Sequence, residues 1–306
     1  MYNGVMNVYK EPGYTSFDVV ARLRGILKQK KIGHTGTLDP DAEGVLVVCL
    51  GNATKLCDIL TDKDKSYVAT LLLGITTDTE DVSGQVLSKN EVNCSEEEIK
   101  DVIMSYVCEY EQIPPMYSAI KVNGKKLYEL AREGKVIERT PRKVVIHNIE
   151  IMDIQLPRVT FKISCGKGTY IRSLCRDIGN QLGCGGVMEH LLRDSVFSTE
   201  TGKQFLSADA LSLNDIEKIV SMGDIDRYIL PVEDMFPNLK KLHVTEAGDK
   251  KLQNGNFLGA SDFVEKNVDF IRDSKFLVYS LDNMFTAIYK YDISKQILQV
   301  DKMFKL

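Results

Sequence analysis

A chain of 306 residues with 43% hydrophobic side chains, 27% charged side chains and a net charge of −4 reads as a globular protein of two domains, or of one large domain with an appendage. Seven cysteines, an odd count with no two separated by only two or three residues, argue against a disulfide scaffold and against a zinc site. No apolar run approaches a membrane span and no basic head precedes an apolar stretch at the start, so a cytoplasmic protein is expected, with no membrane partner.

The acidic total hides an uneven distribution. Residues 22–35 hold Arg22, Arg24, Lys28, Lys30 and Lys31 and no acid. Residues 121–143 hold eight basic residues against three acids, and residues 162–176 hold four basic residues and no acid. Residues 78–111 reverse the balance with ten acids and two lysines. Such segregation allows a basic face on an acidic body, or a mixed solvated surface.

In chain order, Ser16 is expected to cap a helix through about residue 30, with Phe17, Val20, Leu23 and Leu27 at helical spacing. A glycine-punctuated loop follows over 33–40, GHTGTLDP. The apolar run 45–50 predicts a buried strand, 53–60 a short helix, and 65–73 a second strand closed by Gly74. Ser95 and Glu98 form the pattern of a capping box before Ile99, Val102 and Ile103. Pro114 and Pro115 break regular structure, and 144–154 with 159–164 predict a hairpin around Pro157. A helix is expected over 171–182, another over 207–213, and a small β-rich tail from 238 onward. The boundary is placed at Pro237.

Taken singly, the polar residues allow plain readings. Asp39 before Pro40 suits a turn aspartate, His34 a polar loop residue, and Tyr67 a core strand position. Arg172 suits a phosphate contact or a surface charge. There is no GxxxxGK[ST], no GxGxxG and no HExxH, so nucleoside triphosphates, dinucleotides and a metal are not implied.

Four ordered segments change this weighting. They are 33–40 with Ala42, Gly44, Val45 and Leu46; Lys65-Ser66-Tyr67 followed by Leu73, Gly74 and 76–81, TTDTED; 114–121, PPMYSAIK, with Gly124, Tyr128, Ala131 and Arg132; and 167–174, KGTYIRSL, with Asp177 and Gly179. Together they resemble the bacterial transfer RNA pseudouridine synthase B family over about residues 4–192. The resemblance implies an α/β (α+β) pseudouridine synthase fold, with a mixed, mostly antiparallel sheet and a central RNA-binding cleft. It implies a catalytic domain over 1–237, a T-loop-binding insertion over 121–151, and a small PUA-like RNA-binding domain over 238–306.

The implied reaction is isomerisation of the uridine at position 55 of transfer RNA, with base flipping, no cofactor and no guide RNA. The implied partner is tRNA, through its T-loop and the acceptor and T-arm region, and the enzyme is expected to be a monomer. Asp39 matches the catalytic aspartate, which would either attack C1′ or stabilise positive charge there and assist loss of a C2′ proton. Arg172 matches the arginine that pairs with it, Tyr67 the aromatic that packs on the base, Tyr170 a second active-site tyrosine, and His34 the histidine that helps extrude the nucleotide. Leu191 or Leu192 would wall the base, with Leu192 preferred. Lys30, Lys31, Lys121, Lys125, Lys126, Arg132, Arg142 and Lys143 are candidate phosphate contacts.

Two departures stand out. The family's early segment reads Lys-Pro-x-Gly, whereas 11–13 reads EPG, placing Glu11 in the lysine slot with Lys10 one residue earlier. Asp194 occupies a position where the family often has a base. The competing functions are an RNA-binding or RNA-remodelling protein without chemistry, and a uridine-acting hydrolase that releases uracil.

Overall fold

The computed structural model describes residues 1–61, 64–122, 124–198, 201–266 and 268–304. The first half contributes β1 (Gly4–Lys10), α1 (Ser16–Ile26), β2 (Ile32–His34), β3 (Glu43–Leu50), β4 (Asp64–Leu73), α2 (Glu96–Ser105) and β5 (Glu109–Gln112). Then come β6 (Arg142–Gln155), β7 (Arg158–Cys165), α3 (Ile171–Gln181), β8 (Gly186–Ser198), β9 (Lys203–Leu206) and α4 (Leu213–Met222). The tail holds β10 (Lys240–His243), α5 (Glu246–Gln253), β11 (Lys275–Tyr279), β12 (Phe285–Asp292) and β13 (Ile297–Met303).

Among the described residues, β1 to β9 form one sheet in the order β1-β3-β8-β4-β7-β6-β5, with β2 paired to β3 and β9 to β8. Its pairings are antiparallel except β8 with β3, where Leu192 opposes Glu43 and Arg193 opposes Gly44. This parallel junction joins the two halves of the sheet. It works because Gly44 has φ 105° and no side chain; a Cβ there would lie 2.3 Å from the Arg193 carbonyl oxygen. The catalytic-loop candidate leaves β2 and returns into β3 beside this junction, so the junction positions it.

Alternation along β4 and β7 explains which side chains face the core. Tyr67, Ala69, Leu71 and Leu73 on β4 and Val159, Phe161 and Ile163 on β7 are buried on one face, against Ile171, Leu174 and Ile178 of α3 and Ile99 and Ile103 of α2. The other side of β1 and β3 packs on α1 and α4 through Val19, Val20, Leu23 and Ile216. β10 to β13 form a separate four-stranded sheet. Leu277, Tyr279, Ile288 and Phe304 of the tail share an apolar cluster with Val5, Val45 and Val47, which fixes the tail against β1 and β3.

The expected elements hold with several shifts. Thr15, not Ser16, caps α1; its hydroxyl accepts from the Asp18 amide, and Asp18 bonds back. Ser16 is instead the first helical residue, and its Oγ accepts the Leu38 amide at 2.9 Å. The helix stops at Ile26, short of residue 30, because Lys28 takes a left-handed φ of 49°. Residues 53–60 are split between a 3-10 turn, Gly51–Leu56, and a helical turn, Cys57–Thr61. The helix expected over 207–213 is displaced to α4, because Leu211 exchanges main-chain bonds with Asn7 and Tyr9 of the sheet and Ser212 then caps afresh. Within the expected insertion over 121–151, residues from Arg142 onward belong to β6. The capping box at Ser95 and the helix after Tyr170 form as expected.

Candidate active site

A cleft opens over the middle of the sheet in two lobes of about 590 and 600 Å³ that meet at Asp39. Its floor is the loop 35–42. The Thr35 amide donates to the Val47 carbonyl, and the Ala42 amide to the Asp39 carbonyl. Leu38, 3% exposed, anchors the loop in the core, so the next residue, Asp39, is turned outward into the cleft.

Arg172 meets Asp39 side-on. Its Nε lies 2.9 Å from Asp39 Oδ2 and its Nη2 donates to Oδ1 at 3.0 Å, a two-point grip that fixes the carboxylate plane. Arg172 is 5% exposed. Its remaining donors reach the Tyr117 carbonyl at 2.9 Å and the Thr79 carbonyl at 3.2 Å, and Asp81 Oδ2 stands 3.7 Å away. The arginine lies in the first turn of α3, and this helix start is itself pinned. The buried Gln112 side chain accepts from the Tyr170 amide at 2.8 Å and donates to its carbonyl at 3.1 Å. Glu80, also buried, accepts from Ser173 Oγ at 2.7 Å and pairs with Arg176.

Asp39 keeps 37% of its side-chain surface open to the cleft. The protein around it still removes enough water to raise its pKa above the ordinary carboxylate value; Arg172 opposes that rise, and Asp81 adds to it. The carboxylate is therefore less comfortable as an anion than a surface aspartate, yet it is oriented by a fixed cation.

Tyr67, 7% exposed, projects from β4 into one lobe, with Tyr170, Leu191 and Arg193 around it. Burial raises the pKa of both tyrosines. His34 lines the other lobe, where burial lowers its pKa and favours the neutral ring. Leu192, expected to wall the base, does not line the cleft. Side chains alternate along β8, so Leu191 faces the cleft, while Leu192 lies on the opposite face with its Cδ1 against Gly44.

The expected phosphate contacts divide. Lys126 and Arg132 border the cleft, 5.3 and 5.4 Å from the Tyr128 ring. Lys30, Lys31, Lys121, Lys125, Arg142 and Lys143 lie outside its lining. All six are exposed, and Lys31 bonds Asn52, Lys125 pairs with Glu133, and Lys143 pairs with Glu109. Lys65 and Lys167, which were not among the expected contacts, do line it. Among the described residues no cluster of histidine, cysteine and carboxylate side chains suits a metal ion.

Comparison with known proteins settles the family. Sequence profiles of the TruB family pseudouridylate synthase N-terminal domain and of the tRNA pseudouridylate synthase B C-terminal domain match residues 24–171 and 172–236. The chain is 53% identical over 313 aligned positions to tRNA pseudouridine synthase B of Lachnoclostridium phytofermentans, with 99% of each chain covered. The chain belongs to the TruB family of pseudouridylate synthases. The tRNA pseudouridine synthase B of Clostridioides difficile is 40% identical, again over 99% of both chains. Among solved structures, a Cbf5-Nop10-Gar1 complex superposes with a TM-score of 0.69 at 26% identity, covering 98% of this chain and 84% of that one. This TruB-family fold is thus a mixed α/β sheet protein with a β-rich C-terminal part.

Two cations that support this TruB-family site were not among the expected site residues. Lys10, wholly buried, donates to the carbonyls of Glu11 (3.1 Å), Pro40 (2.8 Å) and Ala42 (2.5 Å) and so clamps the loop from below. Burial lowers its pKa to about 8. Lys10 thus supplies a buried ammonium beside the loop, and Glu11 contributes its carbonyl to it. Arg193 holds the other end of the loop through Gly36, Thr37 and Val45 carbonyls. Asp194 is turned away and pairs with Lys162 at 2.7 Å. The signal that could have found Lys10 is its place at the end of the largely apolar strand β1, where a charge needs partners; Arg193 sits among Glu189, His190 and Asp194 and carries no such signal.

Proposed function

We propose that this chain isomerises uridine to pseudouridine at position 55 in the T-loop of tRNA, with Asp39 as the carboxylate that acts at C1′. The reaction breaks the N1–C1′ bond, turns the uracil, and joins C5 to C1′, so it needs an anion beside the sugar and an aromatic floor on which the ring can turn. The observation that carries this reading is the side-on pair of Arg172 and Asp39 at the meeting of two cleft lobes, one of them walled by Tyr67 and Tyr170. The pair aims one carboxylate at a fixed point, and the ring of Tyr67 holds an extruded base without fixing its in-plane orientation.

Tyr67, Tyr170 and Leu191 enclose the base in this reading, and His34 fills the place it leaves. Lys126 and Arg132, with the exposed basic residues around 121–143 and Lys30 and Lys31, hold phosphates; such contacts set position and carry no sequence information. Residues 1–237 act as the catalytic domain, 121–141 close over the T-loop, and 238–306 form a PUA-like RNA-binding domain. The enzyme works as a cytoplasmic monomer, without a guide RNA and without a cofactor.

The test is incubation with a tRNA transcript carrying tritium at uridine C5. Wild type is expected to release tritium stoichiometrically with one pseudouridine mapped to position 55, and Asp39→Asn to bind the RNA without release. Free uracil in place of pseudouridine would establish a hydrolase, and tight binding with no change in the RNA would establish a binding protein.

A further inference from the structure

Arg193 has more to do than hold the loop. It is 3% exposed. Nη1 donates to the carbonyls of Gly36 (3.3 Å) and Val45 (3.2 Å), and Nη2 to that of Thr37 (2.7 Å). Its Nε is buried and has no hydrogen-bond partner, and among the described residues no carboxylate stands at ion-pair distance from it. The guanidinium sits over the Tyr67 ring, with Cζ 5.7 Å from the centroid. A buried cation whose hydrogen bonds all go to neutral carbonyls, with the Asp39 charge beyond ion-pair distance, is placed to steady a negative charge that appears during the reaction. The Tyr67 oxygen can become such a charge. Burial opposes its ionisation, and the positive charge of Arg193 beside the ring favours it.

We infer that Arg193 is a positioning residue that acts through Tyr67, steadying the negative charge on the Tyr67 oxygen while that oxygen moves a proton from C5 to N1 of the turned uracil. The inference rests on the functional reading above. Once C5 has joined C1′, the ring still carries the C5 hydrogen and a C6–N1 double bond. The phenol proton goes to N1, and the C5 proton goes to the phenolate oxygen. The C5–H pair closes the C5–C6 double bond as the C6–N1 π pair settles on N1. One proton leaves the ring and one arrives, Tyr67 ends as a neutral phenol, and no further reactant is required. Arg193 also fastens Gly36 and Thr37, so the same side chain links the loop that carries Asp39 to the tyrosine that completes the reaction.

The experiment compares single-turnover pseudouridine formation on tRNA transcripts bearing protium or deuterium at uridine C5. The proteins are wild type, Arg193→Met, Arg193→Lys, Tyr67→Phe and the Arg193→Met/Tyr67→Phe double variant. Lys10→Met serves as the control that loosens the same loop through Pro40 and Ala42. Arg193→Met is expected to slow the reaction about 100-fold, with RNA affinity within about twofold of wild type and a larger C5 deuterium effect. Arg193→Lys should recover part of the rate, and adding Tyr67→Phe to Arg193→Met should slow it by less than about threefold more. Lys10→Met should slow the reaction with no increase in the isotope effect. A deuterium effect in Arg193→Met no larger than in Lys10→Met, or fully multiplicative losses in the double variant, would overturn the inference. Should Arg193→Met fail to fold, Arg193→Lys carries the same comparison, and a deuterium effect equal to that of Lys10→Met overturns it there. Wild type that forms no pseudouridine, or an active Asp39→Asn, would overturn the functional reading itself, a separate result.

Discussion

The cleft has two sides built on opposite uses of positive charge. On the floor, Lys10, Arg172 and Arg193 are each at most 5% exposed; Lys10 and Arg193 give their hydrogen bonds to main-chain carbonyls, and Arg172 divides its own between the Asp39 carboxylate and the Thr79 and Tyr117 carbonyls. On the flap over 121–141, Lys121, Lys125, Arg132 and Lys135 are exposed, and the pairs they make, such as Lys125 with Glu133, are open to water and screened by salt. A cation surrounded by carbonyls cannot move without leaving them unsatisfied, so it fixes geometry; a cation in water is free to meet a phosphate wherever it lies. Under the proposed function, chemistry and binding thereby fall to different residues of one sign.

That contrast can be broken at several points. The largest effect belongs to Asp39→Asn, which should lower pseudouridine formation by more than about 10³-fold while leaving RNA binding intact. Its thermal midpoint at neutral pH is expected to equal or exceed that of wild type. The folded-state pKa of Asp39 is raised, chiefly by burial, so the ionised carboxylate opposes folding above that pKa. The advantage of the variant should shrink as pH falls through the raised pKa. Calorimetry across pH, beside tritium release, reads both halves of this prediction.

Arg172→Lys comes next. It keeps the charge and loses the two-point grip, and a rate reduced about 100-fold at saturating RNA is expected. Arg172→Met should in addition destabilise the fold by roughly 3 kcal/mol, because it strands Asp39 and Asp81 and the Thr79 and Tyr117 carbonyls. Denaturant titration would show the second effect; a rate for the lysine variant equal to wild type would refute the first.

A smaller effect follows from pH alone. Single-turnover rate should be lost on the acid side as Asp39 takes up a proton, with the midpoint above the ordinary carboxylate value because the pKa is raised. An acid limb at or below that ordinary value would contradict the desolvation that defines the floor. The smallest effects are expected on the flap. Lys126→Ala and Arg132→Ala should each weaken tRNA binding several-fold at low salt and reduce the salt-dependence slope by about 1. Rate at saturation should stay near wild type. A large loss of saturated rate from either would erase the division between floor and flap.

Much of the site was legible before the fold. Asp39, Tyr67, Tyr170 and Arg172 lie in three of the four motifs, and the structure brings them to one cleft because β4, the β2–β3 loop and the start of α3 converge there. Leu192 was misplaced by one residue, since alternation on a strand sends adjacent side chains to opposite faces and a motif does not reveal which face is buried. The helix expected at 207–213 failed for a related reason: local propensity favoured a turn of helix, and the two main-chain bonds between Leu211 and β1 took precedence.

The sequence by itself determined the family, the order of motifs, the capping of α2 and the alternating core of β4 and β7, because these depend on residue types at fixed short spacings. Only the tertiary structure decided that Lys10 and Arg193 lie beneath the loop that carries Asp39, that Leu191 faces the cleft, and that residues from Arg142 onward join the sheet. Each of these depends on which distant strand lies alongside. A buried charge, in particular, has meaning only through the carbonyls that surround it, and those come from residues far away in the chain.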